Sequence, residues 1–212
     1  TYVAGASNQT RGIVAGGMNP NETNRIDYVT IASTGNSNDF GDLTVAKSNT
    51  SGTASPTRAL FAGGADWPAT QMKSTDYLTI ATTGNALDFG DLTFVRSGNG
   101  GGCSNGIRGL FMGGYTSPSL VGTADISSIT IASKGNATKF GDLIVEAFAR
   151  AGFSNSVRGI CVGGRGRGSQ DFSTIESVTI ASEGNATDFG DISYGRRFLG
   201  GSATQTRGFI MP

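Results

Sequence analysis

The sequence predicts an all-β protein, a β-propeller with four complete four-stranded blades and part of a fifth, and three observations predict it. A unit of about 49 residues recurs from end to end. Each unit holds four short strand-like segments separated by turn residues, with no helical period. Glycine makes up 34 of 212 residues, about twice the roughly 7% average, with only 5 prolines and no collagen-like triplet. A disordered low-complexity chain has similar glycine content, but the β-branched and aromatic runs favour a repetitive β protein.

An arginine opens each unit, at Arg11, Arg58, Arg108, Arg158 and Arg207. The repeats are therefore about 11–57, 58–107, 108–157 and 158–206, with one strand before them in 1–10 and a partial fifth unit at 207–212, all within a single domain 1–212. After the arginine comes a short apolar run that ends in a glycine pair: Gly16 and Gly17, Gly63 and Gly64, Gly113 and Gly114, Gly163 and Gly164. Being apolar at every position, this run suits an inner strand buried on both faces. A variable loop leads to a segment ending in Thr-Ile-Ala, whose alternation (Tyr28 and Thr30 against Val29 and Ile31) suits a strand farther out. A Gly-Asn turn follows, at Gly35, Gly84, Gly135 and Gly184, where positive φ is tolerated. Phe-Gly-Asp comes next, with Phe40, Phe89, Phe140 and Phe189 assigned to packing between adjacent blades. A glycine- and serine-rich stretch returns to the next arginine. A solenoid is the competing repeat architecture, but its units are commonly shorter and helical or strictly regular.

The order basic residue, apolar run, Gly-Gly, variable loop, tyrosine-bearing strand, turn, aromatic residue resembles the kelch repeat. Tyr28 and Tyr77 match that family's tyrosine, while Ser128 and Ser177 replace it in two units and phenylalanine stands where tryptophan is usual. The resemblance implies a kelch-like β-propeller over essentially the whole chain. The wording at Thr79 to Leu92 and Thr179 to Ile192 also resembles kelch-like repeats in virion structural and tail-fibre proteins of tailed bacteriophages, including those of cyanobacteria. That second resemblance implies a virion location in the tail or a fibre, with assembly in the host cytoplasm. It implies as partners other virion proteins or copies of the chain itself, with a host-surface glycan or protein as a further ligand.

Composition narrows the chemistry. Sixteen basic and sixteen acidic residues give zero formal net charge, and there is no histidine. No basic stripe is available for counterion release, so no nucleic-acid partner is expected. The apolar runs are far shorter than a bilayer span, and no signal-peptide pattern opens the chain, so no membrane insertion is expected. The chain starts at Thr1, as a processed or excerpted chain would. Cys103 and Cys161 are expected in different blades and unpaired.

The apparent catalytic motifs have bland readings. Asp-Phe-Gly at 39–41, 88–90 and 188–190 spells a kinase signature, but a triplet repeated once per blade with no partner motifs is structural. Asp42, Asp91, Asp142 and Asp191 beside the Gly-Asn turns supply too few oxygens for calcium, and suit turn capping or pairing with the repeat arginines. Asp66, Asp171, Glu146 and Glu176 are the only carboxylates considered for a glycosidase pair. No catalytic residue, cofactor or metal is assigned, and the chain is expected not to be an enzyme.

Function is sought instead in what does not repeat, the loops after the glycine pairs. They carry Asp66, Trp67, Met72, Tyr115, Arg165, Arg167 and Phe172, a mixture that fits a recognition face for protein or carbohydrate. Equally, Trp67 and Phe172 could fold back over a blade edge, and Arg165 and Arg167 could hold an anion. The function expected is a non-enzymatic virion component mediating assembly and host recognition; the alternative is a secreted or cell-surface lectin-like propeller. Eighteen strands are counted where a closed four-blade ring needs sixteen. The surplus implies a larger ring or strands that pair with another chain.

Overall fold

Turn chemistry and β-branched runs give every unit the same meander. The structure, a computed structural model, describes residues 1–66, 70–98, 100–116 and 121–211. Blade 1 is β1 (Ala4–Ser7), β2 (Arg11–Ala15), β3 (Arg25–Thr30) and β4 (Asn38–Asp42), antiparallel in that order. Blade 2 is β5 (Ser51–Ala54), β6 (Arg58–Ala62), β8 (Thr70–Thr79) and β9 (Leu87–Arg96), with the two-residue β7 (Ala65–Asp66) paired to the start of β8. Blade 3 repeats this as β10 (Gly101–Ser104), β11 (Arg108–Met112), β13 (Val121–Thr130) and β14 (Thr138–Ala147), with β12 (Tyr115–Thr116) against β13. Blade 4 is β15 (Ala151–Ser154), β16 (Arg158–Val162), β17 (Thr174–Thr179) and β18 (Thr187–Asp191). A fifth sheet holds only β19 (Gly200–Ala203) and β20 (Gly208–Met211). Four small antiparallel sheets thus stand in a ring, a β-propeller, with a two-stranded partial blade beside the fourth.

Blade boundaries fall one strand earlier than the arginine-based repeats. The strand at the axis is the glycine- and serine-rich one, and β1, β5, β10, β15 and β19 lie side by side there. The apolar run, read as the inner strand, is second from the axis. Sterics explain the order: a Cβ on Gly102 would collide with the carbonyl of Gly52, and one on Gly52 with that of Gly5. The apolar run needs apolar neighbours on both sides, and in β6 residues Ala59, Leu60, Phe61 and Ala62 are all buried. Its closing glycines turn the chain with φ of 67° and 103° at Gly63 and Gly64, a region that side chains with a Cβ rarely adopt.

The core lies between blades. Phe40 shares a cluster with Ile13 and Ile26 of its own blade and Phe61, Leu78 and Ile80 of the next. Phe89 does the same with Phe111, Ile129 and Ile131, and Phe140 with Cys161, Val178 and Ile180. Each of these phenylalanines is the extra residue of a β-bulge: Ile26 pairs with Gly41 and Asp27 with Asp39, which leaves Phe40 outside the ladder. Tyr28 and Tyr77 pack edge-on against Phe40 and Phe89, with centroids 5.7 Å apart in both pairs. In the third and fourth units, where serine replaces tyrosine, Ser128 and Ser177 instead lie 3.2 Å from Thr138 and Thr187, hydroxyl to hydroxyl.

Phe189 breaks the expectation that all four rings are buried. Phe40, Phe89 and Phe140 are 2–3% exposed, but Phe189 is 53% exposed. Among the described residues the fifth sheet has only β19 and β20, and none of them stands where Leu78 and Ile80 cover Phe40.

Cys103 on β10 and Cys161 on β16 are unpaired, as expected, but share the core cluster between blades 3 and 4. Burial pushes both thiols up, Cys161 to about 11. The native state therefore holds protons that the unfolded chain releases near its ordinary 9.0. This contribution to stability is complete below pH 9 and is lost as pH rises through about 11. At pH 8 an aromatic disulfide reagent should find no reactive thiol in the native protein and two per chain after denaturation. Fast native reaction would show that this core opens.

Candidate recognition site and the inter-blade contacts

The loops after the glycine pairs all leave one end of the propeller, because each second strand runs towards that end and each third strand returns from it. They also clasp their neighbours. Ala65 bridges to Ser48, Tyr115 to Ser97 and Arg165 to Phe148, each reaching the connection that leaves the preceding blade. The backbone bonds are reciprocal, with Arg165 N donating to Phe148 O at 2.7 Å and Phe148 N to Arg165 O at 3.0 Å.

The structure brings some of the predicted face together. Tyr115 is half-buried with its ring 5.0 Å from Phe148, whose backbone carries Arg165, so Tyr115 and Arg165 meet at one residue. Arg167 is exposed in a single 3-10 turn, Arg167–Ser169. Phe172 folds back against Gly166, and its carbonyl accepts from Arg196 N at 3.2 Å. Asp66 is exposed at the end of β7, while Met72 is half-buried opposite Arg96 on β9. Trp67 lies outside the described residues.

The repeat arginines do not pair with the repeat aspartates. Arg11 Nη1 donates to Ile80 O at 2.6 Å, Arg58 Nη1 to Ile131 O and Ala132 O at 2.9 and 2.8 Å, and Arg108 Nη1 to Ile180 O and Ala181 O at 3.1 and 3.3 Å. Each therefore ties its blade to the third-strand end of the next. The turn asparagines add a second tie: Oδ1 of Asn85, Asn136 and Asn185 accepts from the backbone N–H of Asp42, Asp91 and Asp142 at 3.0–3.1 Å. The aspartate side chains meet other groups, Asp91 with Lys73 and Asp142 with Lys139.

A third tie is electrostatic. Lys47, just after blade 1, reaches Asp76 on β8 at 3.0 Å with both side chains fully buried. Arg96 reaches Asp125 at 2.9 Å, and donates as well to Phe111 O and Gly113 O at 2.9 Å. Arg150 reaches Glu176 at 2.6 Å, again with both side chains fully buried. Burial holds Lys47 below its ordinary value, opposed by Asp76, and lowers Arg96 to about 10, opposed by Asp125. Of the carboxylates considered for a glycosidase pair, Glu176 is thus occupied by Arg150, and Asp171 by Arg197 at 2.8 Å.

The same ties are half-made at the two terminal blades. On blade 1 the face that would meet a preceding blade is open: Val14 is 45%, Val29 40% and Ile31 55% exposed. Asp27, the positional equivalent of Asp76, meets Arg25 of its own strand at 3.0 Å. On blade 4 Arg158 lies 5.6 Å over the Phe189 ring. Arg196, the equivalent of Lys47 and Arg96, stacks 3.8 Å over Tyr194, and its Nε is buried without a hydrogen-bond partner. A groove of about 270 Å³ lies on this face, lined by Arg158, Ile160, Ile175, Phe189, Gly208 and Ile210 among others.

Lys47, Arg96 and Arg196 each stand seven residues beyond the Phe of Phe-Gly-Asp. Asp27, Asp76 and Glu176 each stand three before the Thr of Thr-Ile-Ala. That periodic charge signal was present in the sequence, interrupted only in the third unit, where Ser127 takes the acid's place and Arg150 stands three residues past the usual cation position. In comparison with known proteins, the chain matches no protein-family model and no curated protein sequence.

Proposed function

We propose that the chain is a non-catalytic building block of a tailed-phage particle, a tail or tail-fibre propeller that joins neighbouring polypeptides through its terminal blades. The observation that carries the assembly reading is the pair of half-made interfaces. Blade 1 offers an apolar face with an acid, and blade 4 offers an aromatic face with two arginines, the two halves of a contact made three times inside the molecule. The wording of the repeats supports the particle assignment, through its resemblance to kelch-like virion repeats. The rim of Tyr115, Arg165 and Arg167 provides a surface for a host glycan or protein.

Sedimentation of the purified chain over a wide concentration range tests assembly. Association that weakens in the Val29→Asp, Ile31→Asp double variant is expected, whereas a monomer at every concentration would overturn the reading. Glycan-array binding lost on Arg167→Ala, from a chain that stays monomeric, would favour the lectin-like alternative.

A further inference from the structure

We infer that Lys47 and Asp76 form an isopeptide cross-link: after folding, the side-chain amine of Lys47 condenses with the side-chain carboxyl of Asp76, and the resulting amide joins blade 1 to blade 2 covalently. This goes beyond the assembly reading and does not rest on it.

The reacting groups are already together. Lys47 Nζ lies 3.0 Å from Asp76 Oδ2, with both side chains fully buried. Held at that range, the two groups react without the entropic cost of bringing them together. Their backbones are fixed independently. Lys47 N donates to Thr23 O at 3.3 Å and Lys47 O accepts from Gly17 N at 2.9 Å, while Asp76 sits inside β8 opposite Phe61. The pair therefore separates only when the joint between the two blades opens.

The dry site favours the neutral reactants. Burial disfavours both charges, and holds the lysine ammonium below its ordinary value against the opposing pull of Asp76. Passing one proton from ammonium to carboxylate leaves a free amine and a carboxylic acid, with no change in net charge. The amine lone pair then attacks Cγ and the C–N bond forms. The C–OH bond breaks, and the hydroxyl leaves as water with one of the amine protons, so neither oxidant nor reductant is consumed. Thr44 Oγ1, which donates to Asp76 Oδ1 at 2.5 Å, stands at the oxygen that carries the negative charge of the tetrahedral intermediate. Condensation replaces two desolvated charges by one neutral amide, so the burial that penalises the ion pair favours the product.

The rate and the place follow from the neighbours. The other acid that acts on the amine, Asp88, stands opposite Asp76 on β9 and is exposed, and among the described residues no further buried acid adjoins the pair. With no buried acid to relay the proton, condensation is slow against folding, and freshly folded protein holds the ion pair. At the next two joints the cation is Arg96 or Arg150, whose guanidinium stays protonated at neutral pH and offers no amine lone pair. Only the lysine joint can close.

The test follows the full chain by intact-mass spectrometry, fresh and after days of incubation below its melting temperature. A species lighter by one water is expected to accumulate. In its tryptic digest cleavage after Lys47 should be lost, and one branched peptide should join the segment of Lys47 to that of Asp76. Asp76→Asn presents the same carbon with a different leaving group, and should lose ammonia instead. Lys47→Arg keeps the charge and should hold its full mass. An incubated parent that keeps its full mass and is cut after Lys47 overturns the inference. Water loss that persists in Lys47→Arg, or that maps to another residue, overturns it as well, being the mark of an aspartyl succinimide. The peptide map of the parent decides the question even where a variant fails to fold.

Discussion

Phe89→Ala should lower the unfolding free energy by about 3–5 kcal/mol, the usual cost of emptying a buried aromatic site. At roughly 2–4 °C per kcal/mol for a chain of this size, the melting temperature should fall by about 6–20 °C. The ring is 2% exposed and lies in a cluster with residues of blade 3, so the loss is felt at the joint between two blades. Tyr77, edge-on to it at 5.7 Å, loses its aromatic partner as well. Phe189→Ala is the control within the same molecule: identical local sequence, identical bulge, and a ring 53% exposed. Its loss should be about 0.5 kcal/mol or less. Urea denaturation of both variants at low protein concentration checks the pair. A loss for Phe189→Ala as large as for Phe89→Ala would mean that the outer face of blade 4 is covered in solution.

That contrast also marks how far the sequence could be read. The glycine pairs, the Gly-Asn turns and the Phe-Gly-Asp triplets locate the strands because each answers a local demand of the backbone, and the five sheets hold the eighteen strands counted plus the two-residue β7 and β12, which the sequence did not signal. What Phe189 touches is set by the next blade, so the same letters are buried three times and exposed once. Gly90 and Gly190 diverge in the same way: a Cβ on Gly90 would meet Gly135 O at 2.5 Å, while one on Gly190 would meet nothing. Pairing of the repeat arginines with the repeat aspartates is one of the two readings, beside turn capping, that the recurring aspartates allow. The arginines instead bond carbonyls 69–74 residues away, a choice made by blade stacking. At the candidate face, the loops were legible as variable. Which side chains meet was not, since Tyr115 and Arg165 converge on Phe148, a residue outside the loops and absent from the candidate set.

Lys47→Met should cost about 3–5 kcal/mol, because it strands the Asp76 carboxylate in a site with no solvent. The lysine ammonium and the carboxylate are 3.0 Å apart and both fully buried, so neither charge has water to fall back on. Asp76 keeps only the hydroxyl of Thr44, whose Oγ1 donates to Oδ1 at 2.5 Å. Asp76→Leu should be comparably costly, since it leaves the ammonium alone. The double variant Lys47→Met, Asp76→Leu removes both desolvated charges and should recover most of the loss, which is how an ion pair retained for specificity differs from one retained for stability. A double-mutant cycle by urea denaturation measures this as a strongly non-additive sum. Additive losses would show that the two side chains act independently. The functional consequence lies in register. With the charges gone, the buried row at 76, 78 and 80 is aliphatic, and a strand shifted along it no longer buries an unpaired charge. A stable double variant should therefore accept non-native strands more readily than the parent, detectable as broadened amide resonances in β8 and as higher-order association on refolding.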